Sequence, residues 1–200
     1  YQYLISNNSH ILTDLQIKEG WLNHIKHNEE NYLWVSNQRA FDLMKEGVLP
    51  PKTSNVDLNQ HYDMIDAQLT TEIFGLLSPI REDIALKMSY LPIRTTAREN
   101  AAWISEFYVM MHSLASKVDK KLKIKDQLIW MADQSRTVLP KNSYSSKMYD
   151  YVKTKYESKI KWEQTRDSIY YRYQLNEMDG YDITSRNLNC NGCFAAGINF

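Results

Sequence analysis

The sequence has very little cysteine and no long apolar run. Its two cysteines, Cys190 and Cys193, are too few and too close together for a disulfide framework, which favours a reducing, cytoplasmic compartment. No apolar run approaches the roughly 20 residues that cross a bilayer, and no signal-peptide pattern stands at the start. These absences argue against a disulfide-rich secreted protein and against a membrane protein.

An excess of charge of either sign is also missing. Lys and Arg total 24, as do Asp and Glu, so no global basic field attracts nucleic acid or an acidic membrane. The basic run at 120–125 is therefore interpreted as a solvated helix face rather than a nucleic-acid patch. A glycine-rich phosphate loop is absent as well.

What the sequence does contain is typical of a folded domain. Hydrophobic residues make up 43% of the 200 positions, enough for one domain covering 1–200. The chain begins at Tyr1 rather than Met, and its last residues form an apolar stretch. We therefore expect an internal segment of a longer protein.

Helical periodicity dominates, and no strand-like alternation runs beyond about four residues, which predicts an all-α fold with short loops. The segment 61–79 is predicted to form one buried helix, and the apolar segment 97–117 a central helix lying against it. On the first helix, one stripe is predicted to face the core: Ile65, Leu69, Ile73 and Leu76. Asp66 lies at the edge of this stripe, where a carboxylate requires a partner.

Several helix ends can be predicted from local chemistry. Thr13 and Gln16 form a capping box, and Gly47 suits the position after a helix that ends at 46. Ser78-Pro79 is predicted to begin a further helix, ending before Pro92. Thr95 or Thr96 is expected to cap the central helix.

Two patterns could carry chemistry, and each also has a structural explanation. Cys190 and Cys193 form a CxxC pair, but a zinc site needs two more ligands and a redox pair would follow a strand. Small residues at a helix start are the favoured explanation. Asp66 either satisfies a structural partner or faces a polar ligand, and the helix alone favours the structural role.

Four stretches, in order along the chain, resemble the bacterial and fungal branch of the ADP-ribosylglycohydrolase family. The second, MIDAQLTTEIFGLLSP, is the most specific. They are residues 47–51, 64–79, 92–96 leading into the helix 97–117, and 189–197.

The resemblance implies an orthogonal helical bundle whose cleft holds two Mg²⁺ ions and cleaves the glycosidic bond at the ribose C1 of ADP-ribose, on a modified protein or a small molecule. The family's paired-aspartate metal motifs do not occur in this sequence. We expect them outside residues 1–200, together with the catalytic groups, so that this segment alone would be inactive.

The same resemblance places a substrate-binding wall on this chain. The family's segment matching 65–68 approaches the substrate, which implicates Asp66 and Gln68. The turn Thr95-Thr96 matches a family position that commonly holds Ser or Thr followed by His; that His is absent here, and Arg98 is a candidate for the diphosphate. Two alternatives stay open, a catalytically inactive ADP-ribose or nucleotide-binding module and a helical interaction domain.

Overall fold

The computed structural model describes residues 2–6, 8–9, 11–26, 32–175 and Phe200. Within these ranges the chain is all-helical and contains no strand, which confirms the predicted fold class. The α-helices are α1 (Gln2–Ser6), α2 (Asp14–His24), α3 (Val35–Lys45), α4 (Glu72–Leu77), α5 (Glu82–Ile93), α6 (Glu99–Leu114), α7 (Ile124–Ser135), α8 (Tyr144–Glu157) and α9 (Trp162–Ile169).

Shorter helical turns complete the described chain. The 3-10 helices are Lys52–Ser54, Ile65–Thr70 and Arg136–Val138, and the π-helix is Tyr170–Leu175. No helix in these ranges is both long and apolar enough to span a bilayer. The CxxC pair lies outside the described residues.

Helix α6 is central, as predicted, because its two sides belong to different buried clusters. One side packs with Ala85 and Ile93 of α5. On the other side Ile104 and Phe107 pack with Tyr149 of α8. A helix that is apolar on most of its surface requires such neighbours on several sides.

Two of the predicted helix ends are confirmed. Thr13 Oγ1 accepts a hydrogen bond from the Gln16 amide at 3.2 Å, and Gln16 Oε1 accepts from the Thr13 amide at 2.9 Å, so α2 begins with a capping box. Gly47 follows α3 with φ of +95°, a left-handed conformation that glycine adopts without strain.

The prediction of a single helix over 61–79 is wrong. Residues 61–64 form turns, followed by the 3-10 helix Ile65–Thr70 and the short helix α4. Hydrogen bonds from a distant amide and from a side chain occupy backbone carbonyls that a continuous helix would use. Tyr62 O accepts from the Arg98 amide, and Gln68 O accepts from the Thr71 hydroxyl.

The predicted core stripe is also wrong. Leu69 is 62% exposed, Ile73 46% and Leu76 73%. The buried positions of this segment include Ala67, Thr71 and Gly75, three small residues spaced four apart that face the core instead. Their size allows a close approach to α6, which the larger side chains of the predicted stripe would prevent.

The predicted start of α5 at Ser78-Pro79 is wrong by several residues. Ser78 ends α4, and α5 begins at Glu82. The intervening chain is held by the end of α6, because Ser113 Oγ donates to Ser78 O at 2.6 Å and the Ile80 amide donates to Ser113 O at 3.0 Å.

The boundary between α5 and α6 also differs from the prediction. Helix α5 continues through Pro92 to Ile93, where a proline near the end removes only one amide donor. The Thr95 hydroxyl donates back to Leu91 O at 3.0 Å, so it satisfies a carbonyl of α5 rather than capping α6. The residue at the N-cap of α6 is Arg98, without a side-chain capping bond.

Substitutions at neighbouring positions of α4 test this packing. A Cβ added at Gly75 would lie 2.3 Å from His112 Cβ and 2.7 Å from the His112 carbonyl carbon. We expect Gly75→Ala to lower the free energy of unfolding by about 3 kcal/mol, the upper end for overpacking, because backbone cannot yield cheaply. Urea denaturation measures this change.

Leu76→Ala is the matched control for Gly75→Ala. Its side chain is largely exposed, so we expect a change within about 0.5 kcal/mol. A loss of about 2 kcal/mol or more, as for a buried leucine, would show that the predicted stripe faces the core after all.

Candidate functional site

A buried polar junction joins the loop after α3 to the turn between α5 and α6. Thr53 Oγ1 donates to Thr95 O at 2.8 Å, and Ser54 Oγ donates to Arg94 O at 2.7 Å. Thr53, Ser54 and Thr95 are fully buried. Buried backbone carbonyls require such partners, so these two hydroxyls fix the loop against the turn.

Asn59 extends the junction to the first turn of α3. Its Nδ2 donates to Ser36 O at 3.1 Å and to Thr53 O at 3.2 Å, while its Oδ1 accepts from the His61 amide at 3.1 Å. One buried amide therefore holds three chain segments together. The sequence predicts a polar loop at 52–59, but it does not indicate which residues form hydrogen bonds with that loop.

Arg98 closes the junction on the other side. Its backbone amide donates to Tyr62 O at 3.0 Å, and its Nη2 donates to Pro51 O at 2.9 Å. Its Nε is buried and has no hydrogen-bond partner. Arg98 thus has a structural role and still retains donor capacity that an anion could use.

Asp66 is buried beside this junction, with 6% of its surface exposed. Burial raises the pKa of its carboxyl, and the Ser36 hydroxyl, its own amide and the charge of His61 oppose that rise. Neither Ser36 Oγ nor Asp66 Oδ1 has a hydrogen bond of normal geometry, so Ser36 is a weak partner. Burial also lowers the pKa of His61, opposed by Asp66.

Gln68 lies two residues further along the 3-10 helix and is 8% exposed. Both its Oε1 and its Nε2 are buried without a hydrogen bond. Leaving such groups unsatisfied costs about 1–3 kcal/mol each, so they have a strong tendency to bind a polar group that can reach them.

The structure brings the two predicted parts of the substrate wall together. Ala67 belongs to the same buried cluster as Ala97 and Ala101, so Asp66 and Gln68 flank a residue that packs on the start of α6. Arg98 lies at this same start. Of the five predicted residues, Thr95 already uses its hydroxyl to donate to Leu91 O, and Thr96, at 4% exposed, is buried to a similar extent as Asp66.

A cavity of about 560 Å³ lies between the first turns of α3 and the loop before Asp66. We call it the α3 cavity. Its lining combines four aliphatic with six polar or charged side chains: Leu33, Val35, Val56, Leu58, Gln38, Arg39, Asp42, Asp57, Gln60 and His61. None of the five predicted residues lines it, but His61 does, and His61 interacts electrostatically with Asp66.

A second concavity of about 520 Å³ lies between α6, α7, α8 and α9. It is mainly aromatic and aliphatic, and the ring of Phe200 lies 5.2 Å from that of Phe107 and 5.5 Å from that of Tyr149. Asp133 accepts from the Tyr149 hydroxyl at 2.9 Å and forms an ion pair with Lys153. None of the predicted substrate residues lines this groove.

The described residues do not form a metal centre. No group of three or more His, Cys, Asp or Glu side chains in these ranges could hold a metal ion. The expected magnesium ligands outside residues 1–200 stay a prediction.

The pKa of Asp66 gives a test of its environment. Because that pKa is raised in the folded protein, the charged carboxylate destabilises the fold at neutral pH, and this penalty disappears as pH falls through the folded-state pKa toward the unfolded value of 3.8. We expect Asp66→Asn to raise the free energy of unfolding near neutral pH, because the neutral amide removes the cost of burying a charge.

Urea denaturation at several pH values measures the difference between the wild type and Asp66→Asn. The difference should shrink as the solution is acidified. A difference that stays constant, or that grows at low pH, would contradict a raised pKa for Asp66.

No protein-family model, no curated protein and no solved structure matches the chain.

Proposed function

We propose that this chain forms part of the substrate site of an ADP-ribosylglycohydrolase-type hydrolase. The reaction is cleavage of the glycosidic bond at ribose C1 of ADP-ribose, on a modified protein or small molecule in the cytoplasm. One observation carries the proposal: three of the four stretches that bear the family resemblance, 47–51, 64–79 and the segment from 92, meet around the buried polar junction.

Direct contacts join those stretches. Arg98 Nη2 donates to Pro51 O, Ala67 shares a buried cluster with Ala97, and Gly75 lies against the backbone of His112. The resemblance lies in the amino-acid sequence, so a common location of these stretches in space is an independent reason to treat them as one functional unit. The fourth stretch, 189–197, lies outside the described residues.

Each polar residue has a role that fits its chemistry. The Asp66 carboxylate accepts hydrogen bonds from ribose hydroxyls, and the Gln68 amide both donates and accepts. The Arg98 guanidinium donates to the diphosphate, which its planar group can contact at two oxygens. Thr96 lines the turn beside Arg98. These groups orient the substrate, and such alignment can contribute several kcal/mol to a reaction barrier.

The finer fold assignment belongs to the same proposal. We infer that the all-α arrangement around α6 is part of the orthogonal bundle that the resemblance implies. The two Mg²⁺ ions of that family would supply Lewis-acid and water-activating chemistry when bound. Their ligands are expected from flanking segments, so this chain's own contribution is substrate positioning.

An assay of the protein with its expected flanking segments tests the reaction. We expect release of ADP-ribose from an ADP-ribosylated protein to require added Mg²⁺ and to stop when EDTA is added. Chromatography of the released nucleotide measures both rates. Activity that EDTA leaves untouched would exclude the metal pair, and tight ADP-ribose binding without release would favour the binding-module alternative.

Arg98→Lys tests the positioning role within this chain. Lysine keeps the positive charge but loses the planar fork, so we expect the affinity for ADP-ribose to fall about tenfold, which corresponds to one charged hydrogen bond. Titration calorimetry gives the affinity, and thermal unfolding gives the stability of each variant.

Arg94→Lys is the matched control, four residues earlier. Arg94 Nη1 pairs with Glu106 Oε1 at 2.5 Å, and both side chains are mostly buried. We expect this variant to lose stability and keep its affinity for ADP-ribose. Equal affinity losses in the two variants would assign Arg98 a purely structural role.

A further inference from the structure

The starts of helices α7 and α9 expose apolar side chains at the mouth of the groove between α6, α7, α8 and α9. Ile124, the first residue of α7, is 76% exposed, and Trp162, the first residue of α9, is 68% exposed. Leu128 and Ile160 are also exposed, and both line that groove together with Trp162. Ile124 lies one helical turn before Leu128, on the same face of α7. We call these four side chains the apolar patch.

The connection between α8 and α9 holds Ile160 in the patch through its backbone. Lys159 has a φ of +58°, and the amides of Lys159 and Ile160 donate to Tyr156 O at 2.9 Å and to Lys155 O at 3.0 Å. Such bonds to the last carbonyls are typical of a defined helix end. Lys125 Nζ lies 4.9 Å from the centre of the Tyr156 ring, so the start of α7 contacts the end of α8.

Four lysines flank the apolar patch, two at each helix start. They are Lys123, Lys125, Lys159 and Lys161. Among the described residues, no carboxylate forms an ion pair with any of these four lysines. Asp133 and Glu157, which line the groove, pair with Lys153 instead. The patch therefore has unpaired positive charge at its edges.

The charge of this region differs from that of the whole chain. Residues 119–126 and 155–163 together contain seven lysines and four carboxylates, whereas the full chain is neutral. The predicted absence of a basic field refers to the total charge, and it does not extend to this local surface. Local charge of this kind attracts anionic partners within about one Debye length, roughly 8–10 Å.

A second exposed apolar surface lacks these lysines. Leu69, Ile73 and Leu76 are 62%, 46% and 73% exposed, yet residues 53–80 contain no lysine or arginine. Exposed aliphatic side chains alone therefore do not distinguish the apolar patch. Its distinguishing feature is the combination of aliphatic and indole side chains with unpaired lysines.

We propose that the apolar patch binds the surface of an anionic lipid bilayer. Its apolar side chains insert at the level of the headgroups, and the four lysines lie near the lipid phosphates. Aliphatic and Trp side chains next to lysines are typical of interfacial membrane binding. A nucleic acid would contact the lysines and leave the aliphatic side chains exposed. Anionic lipids attract basic segments to the cytoplasmic leaflet, which faces the compartment that the sequence predicts. The inference is independent of the proposed function.

Co-sedimentation of the protein with lipid vesicles tests this assignment. One set of vesicles is phosphatidylcholine alone, and the other is three parts phosphatidylcholine to one part phosphatidylserine. We expect the protein to bind the anionic vesicles at least about tenfold more tightly, because each lysine near such a surface contributes about fivefold in affinity. Added NaCl should weaken this binding.

Two matched pairs of variants locate the binding surface. Ile124→Ser and Leu76→Ser remove side chains of similar exposure, and only Ile124 belongs to the patch. We expect Ile124→Ser to weaken binding to anionic vesicles about tenfold, through lost apolar burial, and Leu76→Ser to leave it unchanged.

The second pair tests the charges. Lys123→Gln with Lys161→Gln should weaken binding by at least about tenfold. Lys87→Gln with Lys141→Gln removes two exposed lysines away from the patch and should have little effect.

Equal binding to both kinds of vesicle, no binding to either, or equal losses within a pair would overturn the assignment. Sedimentation velocity without lipid covers a second copy of the chain as the occupant. A dimer that Ile124→Ser dissociates would assign the patch to self-association instead. Binding to a duplex oligonucleotide that is lost with the two patch lysines and kept in Ile124→Ser would assign it to nucleic acid.

Discussion

The contact of Gly75 with the backbone of α6 at His112 is the constraint on which the arrangement of the site depends. Only a residue without a Cβ fits there. Thr71 and Ala67 continue the same small-residue face toward the start of α6, so the 3-10 helix Ile65–Thr70 follows α6 closely back to Ala97. Because the small residues of this face allow the 3-10 helix to approach α6 closely, Asp66 and Gln68 lie near the polar junction.

The junction itself is built from polar groups that most cores avoid. The side chains of Thr53, Ser54 and Asn59 donate hydrogen bonds to backbone carbonyls of two other segments. Satisfied bonds of this kind contribute about 1 kcal/mol each and fix one loop geometry. The groups that stay unsatisfied, on Asp66, Gln68 and Arg98, work in the opposite direction. A local stability loss confined to adjacent polar side chains is typical of a site that gains its last partners from a ligand.

The candidate site could be predicted only in part. The sequence indicates that Asp66 requires a partner because apolar residues flank it, and Asp66 is indeed buried, although the predicted apolar helix stripe does not surround it. Sequence reasoning missed Asn59 and Tyr62, whose roles depend on contacts with residues more than twenty positions away. The spacing of Ala67, Thr71 and Gly75, four residues apart, was the available signal for the buried face. The larger aliphatic residues of this segment form a competing helical stripe, and that stripe is the exposed one.

The sequence by itself determined the helical class, the capping box of α2, the glycine that ends α3 and the central position of α6. Each of these depends on bonds or apolar periodicity within a short stretch of chain. Tertiary structure decided which face of 65–77 is buried and where α5 and α6 begin, because carbonyls such as Tyr62 O and Ser78 O found partners across the fold. The local sequence pattern could not indicate those partners. A helix end or a buried face depends on which donors from distant parts of the chain lie within hydrogen-bond distance, and on how closely the two backbones can approach.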